Sequence, residues 1–245
     1  MTFGEILAAK GAEAGLSFTE AQLEQFTAYY ELLVETNKVM NLTAITEPEE
    51  VAVKHMIDSL LAFDTGFAGK TLADVGTGAG FPGVPLKIYC PQLQVTLIDS
   101  LGKRLKFLEQ VIAALGLKGI RCEHARAEDA GRSKHREAYD IVTARAVARL
   151  SVLAEYCLPL VKQGGTFIAL KGSKYAEEIA EGKEAVKLLG GRLLSAEEVR
   201  LPGLDDGRAI VKIAKLKATP KQYPRKAGTP EKQPLGSKEG KNVCR

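Results

Sequence analysis

With 245 residues, 45% of them hydrophobic and 26% charged, the chain has the size and composition of a soluble globular protein with one core and room for an appendage. Its four cysteines, Cys90, Cys122, Cys157 and Cys244, form no Cys-x-x-Cys pair, which argues against a zinc ribbon or a disulfide framework. No metal is expected, and the first three cysteines read as small core residues. No apolar run reaches bilayer length and the first residues lack the basic start of a secretion signal, so a cytoplasmic protein without membrane contact is expected.

Residues 1–65 read as a helical cap. Ser17-Phe18-Thr19-Glu20 has the form of a capping box, and Leu23, Phe26, Tyr30, Leu33 and Val34 follow at helical spacing. Thr46-Glu47-Pro48-Glu49 is a second start signal, leading into Val51, Val53, Met56, Leu60 and Leu61.

Residues 66–217 alternate strand and helix patterns, as a parallel sheet requires. Strands are expected over 71–76, 94–100, 119–126, 140–147 and 164–171, with helices including 103–115 and 150–161. A last pair, 191–200 and 208–217, flanks Leu201-Pro202-Gly203-Leu204-Asp205-Asp206-Gly207 and reads as an antiparallel hairpin closing the sheet. Residues 218–245 carry Pro220, Pro224, Pro230 and Pro234 without periodicity, which suggests an extended arm disordered at its end. The net charge of +4 is unevenly spread: Lys212, Lys215, Lys217, Lys221, Arg225 and Lys226 follow one another without an acid. Such a segment fits a polyanionic partner, a solvated tail, or a strap that docks Tyr223-Pro224-Arg225 back on the sheet.

The chemistry concentrates at Asp74-Val75-Gly76-Thr77-Gly78-Ala79-Gly80, a strand running into a turn whose missing side chains let a cofactor approach the backbone. Phe81 stands where a dinucleotide fold needs its third glycine, and no Gly-Lys-Ser/Thr follows, so a cofactor without a pyrophosphate is favoured. About 20 residues on, a second strand ends in Asp99-Ser100, at the spacing that lets a carboxylate accept ribose hydroxyls. The pattern resembles the first motif of Rossmann-like methyltransferases, which makes S-adenosylmethionine the expected cofactor. After the third strand, Ala127-Glu128-Asp129 either frames the adenine or is an acidic pair at a helix N-terminus. After the fourth stands Thr143-Ala144-Arg145-Ala146 in place of the Asn/Asp-Pro-Pro-aromatic loop of amine methylases. Cys157 lies inside an expected helix, where it lacks the base that a nucleophile needs. A ring nitrogen such as guanine N7, which has no proton to lose, therefore fits best as acceptor.

Together with Asn37-Lys38-Val39-Met40-Asn41-Leu42-Thr43-Ala44-Ile45, His55-Met56-Ile57-Asp58-Ser59-Leu60, Asp99-Ser100-Leu101-Gly102-Lys103-Arg104 and Tyr223-Pro224-Arg225-Lys226-Ala227-Gly228-Thr229-Pro230, these residues resemble the bacterial ribosomal RNA small-subunit methyltransferase G family, also called glucose-inhibited division protein B. The resemblance implies an α/β, Rossmann-like class I methyltransferase fold. It also implies S-adenosylmethionine-dependent N7 methylation of a guanosine in the 530 loop of 16S ribosomal RNA, by a monomer meeting the RNA or the small subunit. It puts Gly76, Gly78, Gly80 and Phe81 around methionine and ribose, Asp99 with Ser100 on the ribose, and Ala127 with Glu128 at the adenine. Arg145 falls beside cofactor and target base, where a planar cation suits a phosphate or the guanine edge, or serves as a structural ion pair. His55 and Asp58 either bond each other or hold the cap against the catalytic edge. Asn41, Lys171, Lys221, Arg225 and Lys226 are expected on the substrate side. Methylation of another substrate, or a non-catalytic ribosome-assembly role, stays open.

Overall fold

The computed structural model describes residues 1–236; Cys244 and the expected disordered end of the arm lie outside the described residues. Two capped helices open the chain. Each of α1 (Phe3–Glu13) and α2 (Glu20–Asn37) starts at a threonine whose hydroxyl accepts from the third amide while the third side chain returns to the cap, Thr2 with Glu5 and Thr19 with Gln22. The cap of α2 is thus Thr19 with Gln22 rather than Ser17 with Glu20, which places the start of the helix two residues later. α3 (Pro48–Val51) begins after Glu47, one residue later than Thr46 would give, with proline in its first turn. It widens into a π-helical stretch over Ala52–Ile57 before α4 (Asp58–Leu60), an irregularity that apolar spacing does not announce.

The sheet follows in βα order. β1 (Thr71–Val75), α5 (Gly83–Tyr89), β2 (Gln94–Asp99), α6 (Gly102–Ala114), β3 (Ile120–His124), α7 (Ala127–Ala130), β4 (Tyr139–Arg145), α8 (Leu150–Cys157) and β5 (Val161–Lys171) lead to α9 (Tyr175–Leu188). The hairpin β6 (Gly191–Val199) and β7 (Arg208–Lys215) closes it, and α10 (Thr229–Lys232) ends the described chain. The strand order is β3-β2-β1-β4-β5-β7-β6 with β7 alone reversed, the expected mostly parallel α/β sheet with its antiparallel hairpin. α8 stops at Cys157 instead of running to Val161, because Pro159 cannot donate and the chain tightens into a 3₁₀ turn over Leu158–Leu160.

Alternation along the strands gives the sheet two buried faces. Leu72, Leu97, Ile168 and Leu170 face the cap, so Phe3, Leu7, Phe26, Tyr29 and Leu33 share one core with the sheet and the cap is no separate body. Ala73, Val75, Val142, Phe167 and Val211 face α8 and α9 on the other side, where Tyr223 also packs. The chain after β7 therefore returns to the protein and is not an extended arm over residues 218–236.

Candidate cofactor and substrate site

Strand order reverses between β1 and β4, and the carboxyl ends of the strands there form the crevice where open α/β sheets bind ligands. A cavity of about 420 Å³ opens at this point, walled by Gly76, Asp99, Ser100, Ala127, Glu128 and Tyr156, with Ala146 and Val147 on the β4 side. Gly76, Asp99, Ser100 and the Ala127-Glu128 pair, all expected contacts of the cofactor, are thus drawn together around one space.

The glycine loop owes its shape to backbone donors. The amides of Gly76 and Thr77 both donate to Ile98 O, 2.9 and 3.2 Å away, and Gly78 N donates to Asp99 Oδ2 at 3.0 Å. Asp99 also accepts from Leu101 N at 2.9 Å, and these amides hold its carboxylate at the cavity with lone pairs to spare for a pair of hydroxyls. Gly76 (φ 67°) leaves no room for a Cβ, which would stand 2.7 Å from Val147 Cγ2. Asp74 is buried beneath the turn, accepting from Thr77 Oγ1 (2.6 Å), Gly83 N (3.0 Å) and Thr143 Oγ1 (3.1 Å). Burial lifts its pKa to about 6, against the pull of those donors.

Gly80 and Phe81 turn away from the cavity, contrary to their expected place around the methionine and ribose. A Cβ on Gly80 would meet Tyr29 Oη at 2.6 Å, so this glycine exists for close packing on the cap, and Tyr29 Oη donates to Ala79 O at 2.5 Å. Phe81 lies between Tyr29 and His55, with ring centroids 5.5 and 4.6 Å away.

Arg145 is also turned toward the cap. Its Nη1 donates to Asp58 Oδ2 (2.7 Å) and Lys54 O (2.9 Å), and its guanidinium carbon lies 4.9 Å from the Phe81 centroid. Asp58 receives a second cation, Arg208 of β7, at 3.5 Å. His55 bonds Thr43 rather than Asp58, with Nε2 and Oγ1 2.8 Å apart, and its Nδ1 lies 3.1 Å from Lys54 O. Thr43 Oγ1 accepts from Ile45 N, which leaves the hydroxyl proton for His55 Nε2. Burial, then the charge of Arg145, pushes the His55 pKa down to about 4, so the ring is neutral at neutral pH. Immediately after Arg145, Ala146 holds φ 54°, a left-handed conformation costly for alanine, at the loop that walls the cavity.

The substrate-side cations divide. Lys171 is buried and committed, pairing with Glu178 at 2.6 Å and donating to Ala148 O at 2.8 Å, so it braces the β4–α8 loop. Arg225 is not free either: Nε and Nη2 clasp the fully buried Glu155 at 3.0 and 2.7 Å, and its amide donates to the same carboxylate. With Arg132 donating to Pro224 O and Arg136 to Tyr223 O, residues 219–233 form a strap across α7 and α8. Its Gly228 N donates to Glu128 Oε1 at 2.8 Å, tying the strap to the cofactor cavity. Lys221, Lys226 and Asn41 remain exposed without polar side-chain partners among the described residues. Glu155, Arg208 and Tyr156 were missed; only Glu155 left a trace, as the sole acid in an apolar helix that had to find a cation.

A profile of the family described as rRNA small subunit methyltransferase G matches residues 22–204. The ribosomal RNA small subunit methyltransferase G of Lactobacillus johnsonii is 54% identical over 236 residues, covering 94% of this chain and 99% of that protein. This chain belongs to that family. The Bacillus licheniformis member is likewise 54% identical over 224 residues, 90% of this chain and 94% of its own length. Among solved structures, M. jannaschii TYW2 in complex with AdoMet aligns with a TM-score of 0.52 at 16% identity over 65% of this chain and 75% of that one, a likeness of fold. Among the described residues no helix is long and apolar enough to cross a membrane, and no cluster of His, Cys, Asp and Glu is placed to hold a metal.

Proposed function

We propose that this chain transfers a methyl group from S-adenosylmethionine to N7 of a guanosine in the 530 loop of 16S ribosomal RNA, working as a single chain in the cytoplasm. Family membership supports the ribosomal RNA substrate and the reaction class. The observation that carries the acceptor atom is the cavity itself: no histidine, cysteine or lysine lines it, and its two carboxylates, Asp99 and Glu128, are each engaged by backbone amides. His55 is turned into the cap, and the buried Cys157 thiol is pushed well above its ordinary pKa.

The residues fit the cofactor. Asp99, held by two amides, would accept the ribose hydroxyls, Ala127 and Glu128 would stand at the adenine, and the Cβ-free backbone of Gly76 and Gly78 would permit close approach. When bound, S-adenosylmethionine supplies a methyl group on a positively charged sulfur. The protein's part is alignment. The strained Ala146-Val147 turn, braced by Lys171 through Ala148 O, presents the target base, and Arg145 locks the cap beside it through Asp58 and Lys54 O. Lys221, Lys226 and Asn41 lie on the exposed surface as RNA contacts.

Tritiated methyl transfer to ribosomal RNA lacking the modification tests this reading, with the product mapped by borohydride and aniline scission, which cleaves at N7-methylguanosine. Methylation of an exocyclic amine or of C5 contradicts it, and saturable cofactor binding without transfer favours an assembly role. Asp99→Ala weakens S-adenosylmethionine binding by about 1–3 kcal/mol, because ribose donors lose their acceptor. Calorimetry reads the effect.

A further inference from the structure

A cavity larger than that at the glycine loop lies away from it. A groove of about 680 Å³ runs between α9 and the β6–β7 hairpin, floored by Leu150, Ile179, Val186, Leu193, Ile213 and Leu216. Leu193 and Leu216 are 42% and 50% exposed, two large apolar side chains open to solvent on one groove. Exposed apolar clusters of this kind mark interaction surfaces. Four cations, Lys183, Lys187, Arg192 and Lys217, stand around the floor. All four are exposed, none has an ion-pair partner among the described residues, and no acid lines the groove. One wall is β6, the edge strand of the sheet, which offers backbone groups on its outer side and carries a register shift between Leu193 and Ser195.

We propose that this groove docks an acidic, amphipathic polypeptide segment of a partner protein. Apolar floor and cationic rim call for an anionic amphiphile, and the unpaired edge calls for a peptide backbone. An RNA strand would satisfy the rim but would leave the leucines of the floor against sugar and phosphate. The chain's own last nine residues have the wrong sign, with Lys238, Lys241 and Arg245 against Glu239. The end of the groove at Gly190-Gly191 and Leu216-Lys217 sits at the opposite sheet edge from the Asp99 cavity, so the partner and a substrate at the carboxyl edge can be held together. This inference is independent of which RNA atom is methylated.

The test is selection of displayed random peptides of about twelve residues on the full-length protein, followed by anisotropy titration of the synthesised winners. The expected consensus combines Asp and Glu with Leu, Ile or Phe at helical or alternating spacing, with binding that weakens as salt rises. Lys183→Glu with Lys187→Glu, and separately Leu193→Asp with Leu216→Asp, each weaken the winners by about tenfold or more and leave methyl transfer unchanged. The lysine pair is exposed and keeps the test valid should the aspartate pair misfold. A basic or uncharged consensus, no enrichment, or affinity indifferent to the lysine pair overturns the proposal. So does binding of phosphatidylglycerol vesicles that the lysine pair abolishes while no peptide binds.

Discussion

The glycine loop and the C-terminal strap both border the cofactor cavity, and they are held in opposite ways. In the loop, amides of Gly76, Thr77, Gly78 and Gly83 donate inward to Ile98 O, Asp99 and Asp74, so its shape rests on backbone geometry and on room left by absent side chains. In the strap, three arginines do the holding, Arg132 and Arg136 on its carbonyls and Arg225 on the buried Glu155. The loop fails when something is added; the strap fails when something is removed. Each kind of failure has its own signature.

The largest effect is expected in the strap. Arg225→Ala strands Glu155, which is fully buried, and leaves an uncompensated carboxylate. Loss of one partner from such a pair costs about 3–5 kcal/mol, whereas Arg225→Met combined with Glu155→Met recovers most of it. Urea denaturation measures both. Because Gly228 N holds Glu128, cofactor affinity falls with stability in the single variant. A stability loss below about 1 kcal/mol would show that the strap merely rests on the surface.

The loop gives the next contrast. Gly80→Ala forces a Cβ to within 2.6 Å of Tyr29 Oη and 2.8 Å of Leu108 at φ 107°, and about 2–3 kcal/mol of stability is lost. At Gly78 (φ 60°) a Cβ finds open space, with Gly76 O its nearest neighbour at 3.9 Å. Gly78→Ala therefore costs only about 1 kcal/mol of stability, while it weakens cofactor binding, because the added methyl occupies the face the ligand approaches. Equal stability losses in the two variants would end the distinction between a packing glycine and a binding glycine.

These differences explain what could be read from residue order. The strands were legible to within a few residues because their alternation answers to burial on two faces, and Gly76, Asp99, Ala127 and Glu128 were legible because motif spacing fixes backbone geometry. The cations were not. Lys171 read as a free donor, Arg145 as a contact of the target base or a structural ion pair, and Arg225 as an RNA contact or part of a docked strap; none could be given its partner, because Glu178, Asp58 and Glu155 are distant in sequence or hidden in helices of ordinary appearance. Gly80 and Phe81 carried the right spacing but answer to Tyr29 on the cap, which reaches across 50 residues to bond Ala79 O.

The cap itself can be probed by acid. His55 titrates at about 4 in the folded chain against 6.5 unfolded, so the unfolded state binds the proton first and stability falls as pH drops from 6.5 toward 4. Asp74, lifted to about 6 from 3.8, works the other way between those values, because the folded state keeps a proton that the unfolded state has lost. Comparison with His55→Gln separates them. The wild type loses about 2 kcal/mol relative to that variant between pH 7 and pH 5 in urea titrations. Parallel curves for the two proteins would mean that His55 is hydrated and not locked on Thr43.

The smallest effect on the fold sharpens the comparison most, since it asks whether any cation of the strap is left for RNA. Lys221 and Lys226 are exposed on the segment that Arg225 anchors, so replacing both with alanine leaves stability within about 0.5 kcal/mol and leaves S-adenosylmethionine affinity unchanged. RNA binding responds instead through salt. Each phosphate that is no longer neutralised lowers the dependence of log affinity on log salt by about 0.7–0.9, so the double variant flattens the slope by about 1.4–1.8 while its absolute affinity at high salt approaches that of the wild type. An unchanged slope would assign the whole strap to holding Glu128 and Glu155, and RNA binding would then fall to Asn41 and the exposed edge of the cap.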